Sequence, residues 1–351
     1  MGEKKLMRGT EAIAEAAIRA GCTHFFGYPI TPTNELLEYM AVNLPEKGGV
    51  FLEAENEVAA INMVYGAAAA GARVMTASSG PGISLMAEGF SFLAAAELPC
   101  VIVDVERGGP GLGNISPSQS DYSFVVKGAG HGDFKLIVLA PYSIQEAADL
   151  TMDSFLIADK YRNPVLILTD GILGEMMEKV IFRNANVDSL SQKDWIATGA
   201  NNRSRNRIIT YYGLPDELEE HNLHLKRKYD DLVSNYTKCE RYKADDADYL
   251  IIAFGICARI CKKTISISRE KGIRIGLIRI ITLFPFPSKK IRDLARKSKA
   301  IIVVEMNLGQ MFEDVKLAVN GLVPVYFYGR TGGSIPKPSE VFLGIEKIVN
   351  G

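Results

Sequence analysis

The residues able to do chemistry gather in four short segments, each mixing polar side chains with glycine or proline. In Gly27-Tyr28-Pro29-Ile30-Thr31-Pro32 two prolines and a glycine restrain the backbone and present the Thr31 hydroxyl near a helix start, where free N–H groups favour anions. The other reading of that loop is a rigid turn in which Thr31 only caps the helix. Glu53-Ala54-Glu55-Asn56-Glu57 sets three acids ahead of an apolar helix, where residue types alone suggest solvated caps at the positive end of the helix dipole. Ser78-Ser79-Gly80-Pro81-Gly82 has glycines that let a ligand approach the backbone, but Leu85 stands where a dinucleotide fingerprint needs its third glycine. Glu106-Arg107-Gly108-Gly109-Pro110-Gly111-Leu112-Gly113 places an arginine among glycines, suited to hold a carboxylate bidentately or to form a structural ion pair with Asp104 or Glu106. Here too the fingerprint fails, at Asn114.

The elements that must position these segments alternate between helical stretches and short apolar runs. Strands are expected over 24–27, 50–53, 73–77, 99–105, 135–140 and 164–169, with helices over 10–20, 32–42 and 57–70 between them. That alternation predicts a parallel α/β sheet, whose ligands gather outside the carboxyl ends of the strands. All four segments leave such ends. Residues 186–247 are more charged, include a charged helix over 216–229, and read as a linker with structure of its own. Alternation resumes with strands near 250–254, 274–280, 300–304 and 325–328. The expectation is α/β throughout: two parallel-sheet, three-layer domains over 1–185 and 248–351, joined by the linker.

Composition excludes several classes. Of 351 residues, 47% are apolar and 23% charged, which argues for a folded globular chain and against disorder. The longest nearly pure apolar runs, 63–72 and 249–258, fall far short of the ~20 residues that span a bilayer, and no leader pattern follows Met1, so a cytoplasmic chain without a membrane partner is expected. Five scattered cysteines make no disulfide framework. Cys257 and Cys261, four apart on a helix, and His221 and His224, three apart, lack further ligands nearby and read as core packing and a solvated face; no metal site is expected. The net charge of -1 divides into -9 over 1–185, -1 over 186–247 and +9 over 248–351. The basic residues lack interleaved aromatics, so attraction between the domains is expected rather than nucleic-acid binding.

Taken together, these segments resemble a known family. Glu57-Val-Ala-Ala with Gly66 nine residues on, followed by a strand and Ser-Gly-Pro-Gly, resembles the pyrimidine-binding domain of thiamine diphosphate enzymes. Gly-Tyr-Pro-Ile-Thr-Pro at 27–32, Glu-Arg-Gly-Gly-Pro at 106–110 and His-Gly-Asp at 131–133 are similar to the α-type subunit of 2-oxoacid:ferredoxin oxidoreductases. Ile-Arg-Ile-Ile-Thr-Leu-Phe-Pro-Phe-Pro at 278–287 and Val-Glu-Met-Asn-Leu-Gly-Gln at 304–310 resemble that family's transketolase-C-terminal-like domain. Within the family, the segments 127–133 and 170–177 look most like the branched-chain, 3-methyl-2-oxobutanoate type.

The resemblance implies roles. Glu57, the acid with the nine-residue spacing to Gly66, would be the carboxylate that hydrogen-bonds N1′ of the cofactor's aminopyrimidine, with Ser79, Gly80, Pro81 and Gly82 also at the cofactor. Thr31 and Arg107, with Tyr28 and Pro29 beside them, would contact the substrate carboxylate. The implied reaction is oxidative decarboxylation of a 2-oxoacid to acyl-coenzyme A and CO2, with electrons passed to ferredoxin. The family's diphosphate and Mg2+ motif, Gly-Asp-Gly with a later Asn, is absent, because Thr169-Asp170-Gly171 lacks the first glycine and Gly130-His131-Gly132-Asp133 has the wrong order. No cysteine spacing suits a [4Fe-4S] cluster. The resemblance therefore implies half a site, completed by a β-type thiamine-diphosphate-binding subunit, with γ-type and ferredoxin-like δ-type subunits carrying the clusters and the ferredoxin contact. Other readings are a pyruvate or 2-oxoglutarate type, the β-type subunit of a lipoamide-linked 2-oxoacid dehydrogenase, or a non-catalytic α/β binding protein.

Overall fold

The computed structural model describes residues 4–184, 193–200 and 202–350. In chain order its first part runs β1 (Lys4–Arg8), α1 (Gly9–Arg19), β2 (His24–Gly27), α2 (Asn34–Glu46), β3 (Val50–Glu53), α3 (Glu57–Ala69), β4 (Val74–Ser78), α4 (Pro81–Leu85), α5 (Ala87–Ala95) and β5 (Val101–Glu106). One turn of π-helix (Phe124–Gly128) precedes β6 (Ile137–Leu139), α6 (Ile144–Tyr161), β7 (Val165–Asp170), α7 (Gly171–Glu175) and β8 (Met177–Ile181). The second part comprises α8 (Pro215–Asn235), β9 (Cys239–Tyr242), β10 (Tyr249–Ala253), α9 (Gly255–Glu270), β11 (Ile275–Ile280), β12 (Thr282–Phe284), α10 (Ser288–Ala295), β13 (Ala300–Glu305), α11 (Gln310–Val319), β14 (Val325–Gly329) and α12 (Pro338–Asn350).

A seven-stranded sheet of order β12-β6-β7-β5-β4-β2-β3 is parallel except for β12, and a five-stranded sheet of order β14-β13-β10-β11-β9 is parallel except for β9. The central strands β4, β5 and β7 are buried along their whole length, as expected of a parallel sheet covered on both faces. On β5 the side chains alternate. Val101, Val103 and Val105 join a core with α1, α2 and α6, while Ile102 points to a second core that continues into Ile252, Ile278 and Val303 of the other sheet. One apolar interior thus runs between the sheets.

Two strands cross the expected segment limits. β9 comes from the stretch read as linker yet edges the second sheet, and β12 leaves the second part of the chain to pair with β6 of the first sheet. The expected limit at 185/186 lies outside the described residues. The charged helix is also bound rather than free: α8 presses Leu225, Tyr229 and Leu232 onto Ile137, Leu139 and Val165. Its His221 is not on a solvated face. The His221 ring stacks on Tyr212 and its Nε2 lies 2.8 Å from the Ala95 carbonyl oxygen. Two further strands, β1 and β8, form an antiparallel ribbon that the alternation pattern does not announce, since both are mostly exposed.

Polar clamps fasten the second sheet onto the segment after Arg107. Gln119 donates to the Phe254 carbonyl at 3.1 Å and accepts the Met306 N–H at 3.0 Å; Asn307 donates to the Gln119 carbonyl at 2.6 Å. Buried Arg279 forms a bidentate pair with Glu146 and a further bond to Glu240. Cys257 and Cys261 sit fully buried in the core under α9, their thiols pushed up by burial.

Candidate active site

The parallel register brings the four loops to one edge of the seven-stranded sheet, with Gly27 paired to Glu53 and Ser78 to Asp104. Asn56 opens α3 by accepting the Ala59 N–H at 2.8 Å, which puts Glu57 at the first helical position and turns it inward. Of the three acids, Glu57 is 4% exposed, whereas Glu53 and Glu55 face solvent. The Ser78 hydroxyl, at the end of β4, donates to Glu57 Oε1 at 3.4 Å. A Cβ on Gly82 would overlap both Ser78 Oγ and Glu57 Oε1, so only glycine lets α4 come this close. Gly66 lies on the open side of α3, where a Cβ would meet nothing within 4 Å beyond its own helix among the described residues.

A second group forms around Arg107, which is 7% exposed. Its Nη1 donates to the Thr31 carbonyl at 3.0 Å and its Nη2 to the Leu112 carbonyl at 3.3 Å; its Nε is buried with no hydrogen-bond partner among the described residues. Arg107 makes no ion pair with Asp104 or Glu106. Among the described residues, both Asp104 oxygens find no hydrogen-bond partner, and Glu106 accepts the Asp121 N–H at 2.9 Å. The Thr31 hydroxyl accepts from the Asn34 side chain at 3.3 Å, and the helix cap position falls to Thr33 instead. Tyr28 and Pro29 are exposed at the mouth. Gly80, at φ 45°, backs onto Arg107, 3.8 Å from Nε to its Cβ position, so the 78–82 loop joins the Arg107 group to the Glu57 group. Pro81 starts α4, and the Ser79 hydroxyl is spent on the Val105 carbonyl at 2.7 Å.

Beneath this loop lies a set of carboxyls: Asp104 and Glu106, which the sequence offers as ion-pair partners of Arg107, and partly buried Asp121, with buried Asp170 beside them. Their signal was two acids alternating with valines on a buried strand. Burial and mutual repulsion hold Asp104 and Glu106 well above the carboxylate range. Burial pushes Asp121 up to about 6, with the Gly80 N–H and Arg107 pulling the other way, and Asp170 also up to about 6. Glu305, capped by the Met311 and Phe312 N–H groups, is raised by burial to about 7.

These shifts set a pH dependence of stability. An acid whose folded pKa is raised keeps a proton that the unfolded chain releases near pH 4, so its contribution is complete below that value and lost as pH rises through 6 to 7. On account of these groups the purified chain should therefore begin to lose stability above about pH 4 and be less stable at pH 8 than at pH 5. Thermal scans across that range check this, and a midpoint that climbs from pH 5 to 8 would show these carboxyls ionised in the fold.

Known families match the chain over most of its length. The family model described as pyruvate flavodoxin/ferredoxin oxidoreductase, thiamine diphosphate-binding, matches residues 15–233, and that for core domain II of pyruvate:ferredoxin oxidoreductase matches 247–341. The chain belongs to the 2-oxoacid:ferredoxin oxidoreductase family. It is 49% identical to the ketoisovalerate oxidoreductase subunit VorB of Methanothermobacter marburgensis, over 98% of this chain and 97% of that protein. To the 2-oxoglutarate synthase subunit KorA of the same organism it is 37% identical, over 97% and 98%. The structure of a 2-oxoglutarate:ferredoxin oxidoreductase from Magnetococcus marinus, with 2-oxoglutarate, coenzyme A and succinyl-CoA bound, superposes with TM-score 0.84 at 27% identity, over 99% of this chain and 65% of that longer one. A split-gene transketolase shares the fold at TM-score 0.59 and 12% identity. Membership sets aside the lipoamide-linked and non-catalytic readings.

The residues fit one half of the family's cofactor. A buried carboxylate at a helix start, backed by a hydroxyl and a glycine with no room for a side chain, suits the aminopyrimidine end of thiamine diphosphate. Among the described residues, no group of three or more His, Cys, Asp or Glu side chains could hold a metal ion.

Proposed function

We propose that this chain is the pyrimidine-binding half of an enzyme that oxidatively decarboxylates 3-methyl-2-oxobutanoate to its acyl-coenzyme A and CO2, reducing ferredoxin. The observation that carries the reading is the pairing, across one glycine loop, of buried Glu57 with buried Arg107. The branched-chain substrate rests on the higher identity to the ketoisovalerate subunit than to the 2-oxoglutarate subunit, at similar coverage. A β-type partner subunit would supply the diphosphate and Mg2+ site, and γ- and δ-type subunits the [4Fe-4S] clusters and the ferredoxin contact.

Bound thiamine diphosphate supplies a carbon nucleophile for the 2-oxo carbonyl and a sink for the electrons released with CO2. The protein's part is to hold charges and protons. Glu57 would keep one proton shared between its carboxyl and N1′ of the aminopyrimidine, with Ser78 fixing Oε1 and leaving Oε2 for the exchange. Arg107 would take the substrate carboxylate. Its two bonds to backbone carbonyls leave three of the five guanidinium N–H groups for that task and prevent the side chain from swinging away. Thr31, held by the same arginine through its carbonyl, would add a hydroxyl beside it.

The isolated chain, supplied with cofactor, Mg2+, coenzyme A and an electron acceptor, should turn over no 2-oxoacid. Activity should appear when the partner subunits are added, with 3-methyl-2-oxobutanoate used best. Turnover by the chain alone would sink the half-site reading, and a preference for pyruvate or 2-oxoglutarate in the complex would reassign the substrate.

A further inference from the structure

The two backbone carbonyls that hold Arg107 belong to residues of opposite character. Thr31, on Nη1, carries a hydroxyl; Leu112, on Nη2 at 3.3 Å, carries an isobutyl group. Leu112 stands at the tip of the glycine loop and is 82% exposed, although the loop around it is firmly fixed. The Asn114 N–H closes the loop onto the Gly108 carbonyl at 2.9 Å, the Gly108 N–H bonds the Ser116 carbonyl at 2.8 Å, and the Asn114 side chain donates to the Gly332 carbonyl at 3.2 Å. A Cβ on Gly113 would fall 1.7 Å from the Gly108 oxygen, so this closure needs glycine there. None of these bonds involves the guanidinium, so Leu112 keeps its place independently of it. A large aliphatic group is thus held outside the apolar interior, beside the arginine.

Its place relative to a bound 2-oxoacid follows from the shared guanidinium. The Leu112 carbonyl oxygen and a substrate carboxylate would draw on neighbouring N–H groups of one planar fork, so the two chains leave it side by side. Counted outwards, the Leu112 carbonyl carbon, Cα and Cβ match C1, C2 and C3 of the acid, which brings the Leu112 methyl groups level with whatever branches from C3. Gly108, Gly109, Gly111 and Gly113 have no side chain to offer, and Thr31 on the other flank is polar. The substituent on C3 therefore meets hydrocarbon from this loop. Methyl groups bury favourably against it, whereas a second carboxylate would be laid against it at a cost in desolvation.

We propose that Leu112 is a specificity-determining residue, which packs against the C3 branch of the substrate and favours 3-methyl-2-oxobutanoate over pyruvate and 2-oxoglutarate. The inference rests on the assignment of Arg107 to the substrate carboxylate. Leu112 takes no part in the chemical step. It covers the C3 methyl groups in ground state and transition state alike, so its contribution appears in the Michaelis constant rather than in turnover, and it grows with each methyl group added at C3.

The test uses the assembled complex carrying thiamine diphosphate and Mg2+, with coenzyme A and an electron acceptor. Its substrates are pyruvate, 2-oxobutanoate and 3-methyl-2-oxobutanoate, which gain one methyl group on C3 at each step. Leu112→Ala should raise the Michaelis constant about 10-fold for 3-methyl-2-oxobutanoate, less for 2-oxobutanoate and by no more than about two-fold for pyruvate, with kcat little changed. Constants that rise equally for all three acids, or for none, overturn the proposal. So does a Leu112→Ala chain that no longer assembles, which would give the side chain to a subunit contact. Arg107→Ala keeps the two claims apart. If it leaves all three constants unchanged, the assignment of Arg107 fails; if it raises all three alike while Leu112→Ala shows no gradient, only the role of Leu112 fails.

Discussion

Glu57→Gln is expected to cut turnover of the assembled complex by a factor of about 10² or more, while the chain folds and assembles as before. The amide has the size of the carboxyl, so the tight approach of Gly82 and the bond from Ser78 to the Oε1 position survive. What disappears is the ability to share a proton with a ring nitrogen, because an amide neither accepts a proton at working pH nor gives one up. Turnover measured beside exchange of the cofactor's C2 proton with D2O separates this loss from a failure to bind. Glu53→Gln and Glu55→Gln are the controls: both residues are exposed, and neither change should cost more than a small factor. If either control were as damaging, with Glu57→Gln mild, the acid–base assignment would pass to another carboxylate.

Much of this arrangement is legible along the chain. The strands at His24–Gly27 and Val50–Glu53 fall where the apolar runs place them, and the loops that leave them hold Thr31 and Glu57. Such runs are readable because a parallel strand covered by helices is apolar whichever way each side chain points. Legibility stops where a residue's meaning depends on its neighbour across the sheet. Asp104 and Glu106 look like ordinary strand-end acids until the pairing of Ser78 with Asp104 and of Glu106 with Asp170 closes water out above them. Ser79 shows the opposite case: it belongs to a ligand-like motif, and its hydroxyl bonds the Val105 carbonyl. The three-residue β12 is too short to show a period, and only its antiparallel fit on β6 shows that the first sheet is finished by the second half of the chain. Gln119 and Asn307, which hold the substrate-side loop from opposite halves, carry no local pattern because their bonds span 188 residues.

Arg107→Ala should act on the substrate alone. Every 2-oxoacid carries a carboxylate beside the reacting carbonyl, so the Michaelis constant should rise for all of them alike. Breaking a buried charge pair costs about 2 to 5 kcal/mol, or roughly 30-fold and upward in that constant. Affinity for thiamine diphosphate should change little, because Glu57, Ser78 and Gly82 make no bond to the arginine. Part of the loss would come from the loops: without the guanidinium, the Thr31 and Leu112 carbonyls lose their donor and the Thr31 hydroxyl is no longer held in place. Arg107→Lys isolates that part, since it keeps the charge but cannot reach both carbonyls as a fork does, and an intermediate Michaelis constant is expected. Thr31→Val removes one neutral hydroxyl and should cost less than either. Selectivity among pyruvate, 3-methyl-2-oxobutanoate and 2-oxoglutarate should survive all three changes, because none of them meets the part of the substrate that differs. Separate titrations of cofactor and 2-oxoacid on the Arg107→Ala complex decide the matter: weakened cofactor binding beside an unchanged substrate constant would place Arg107 in the service of the cofactor or the fold.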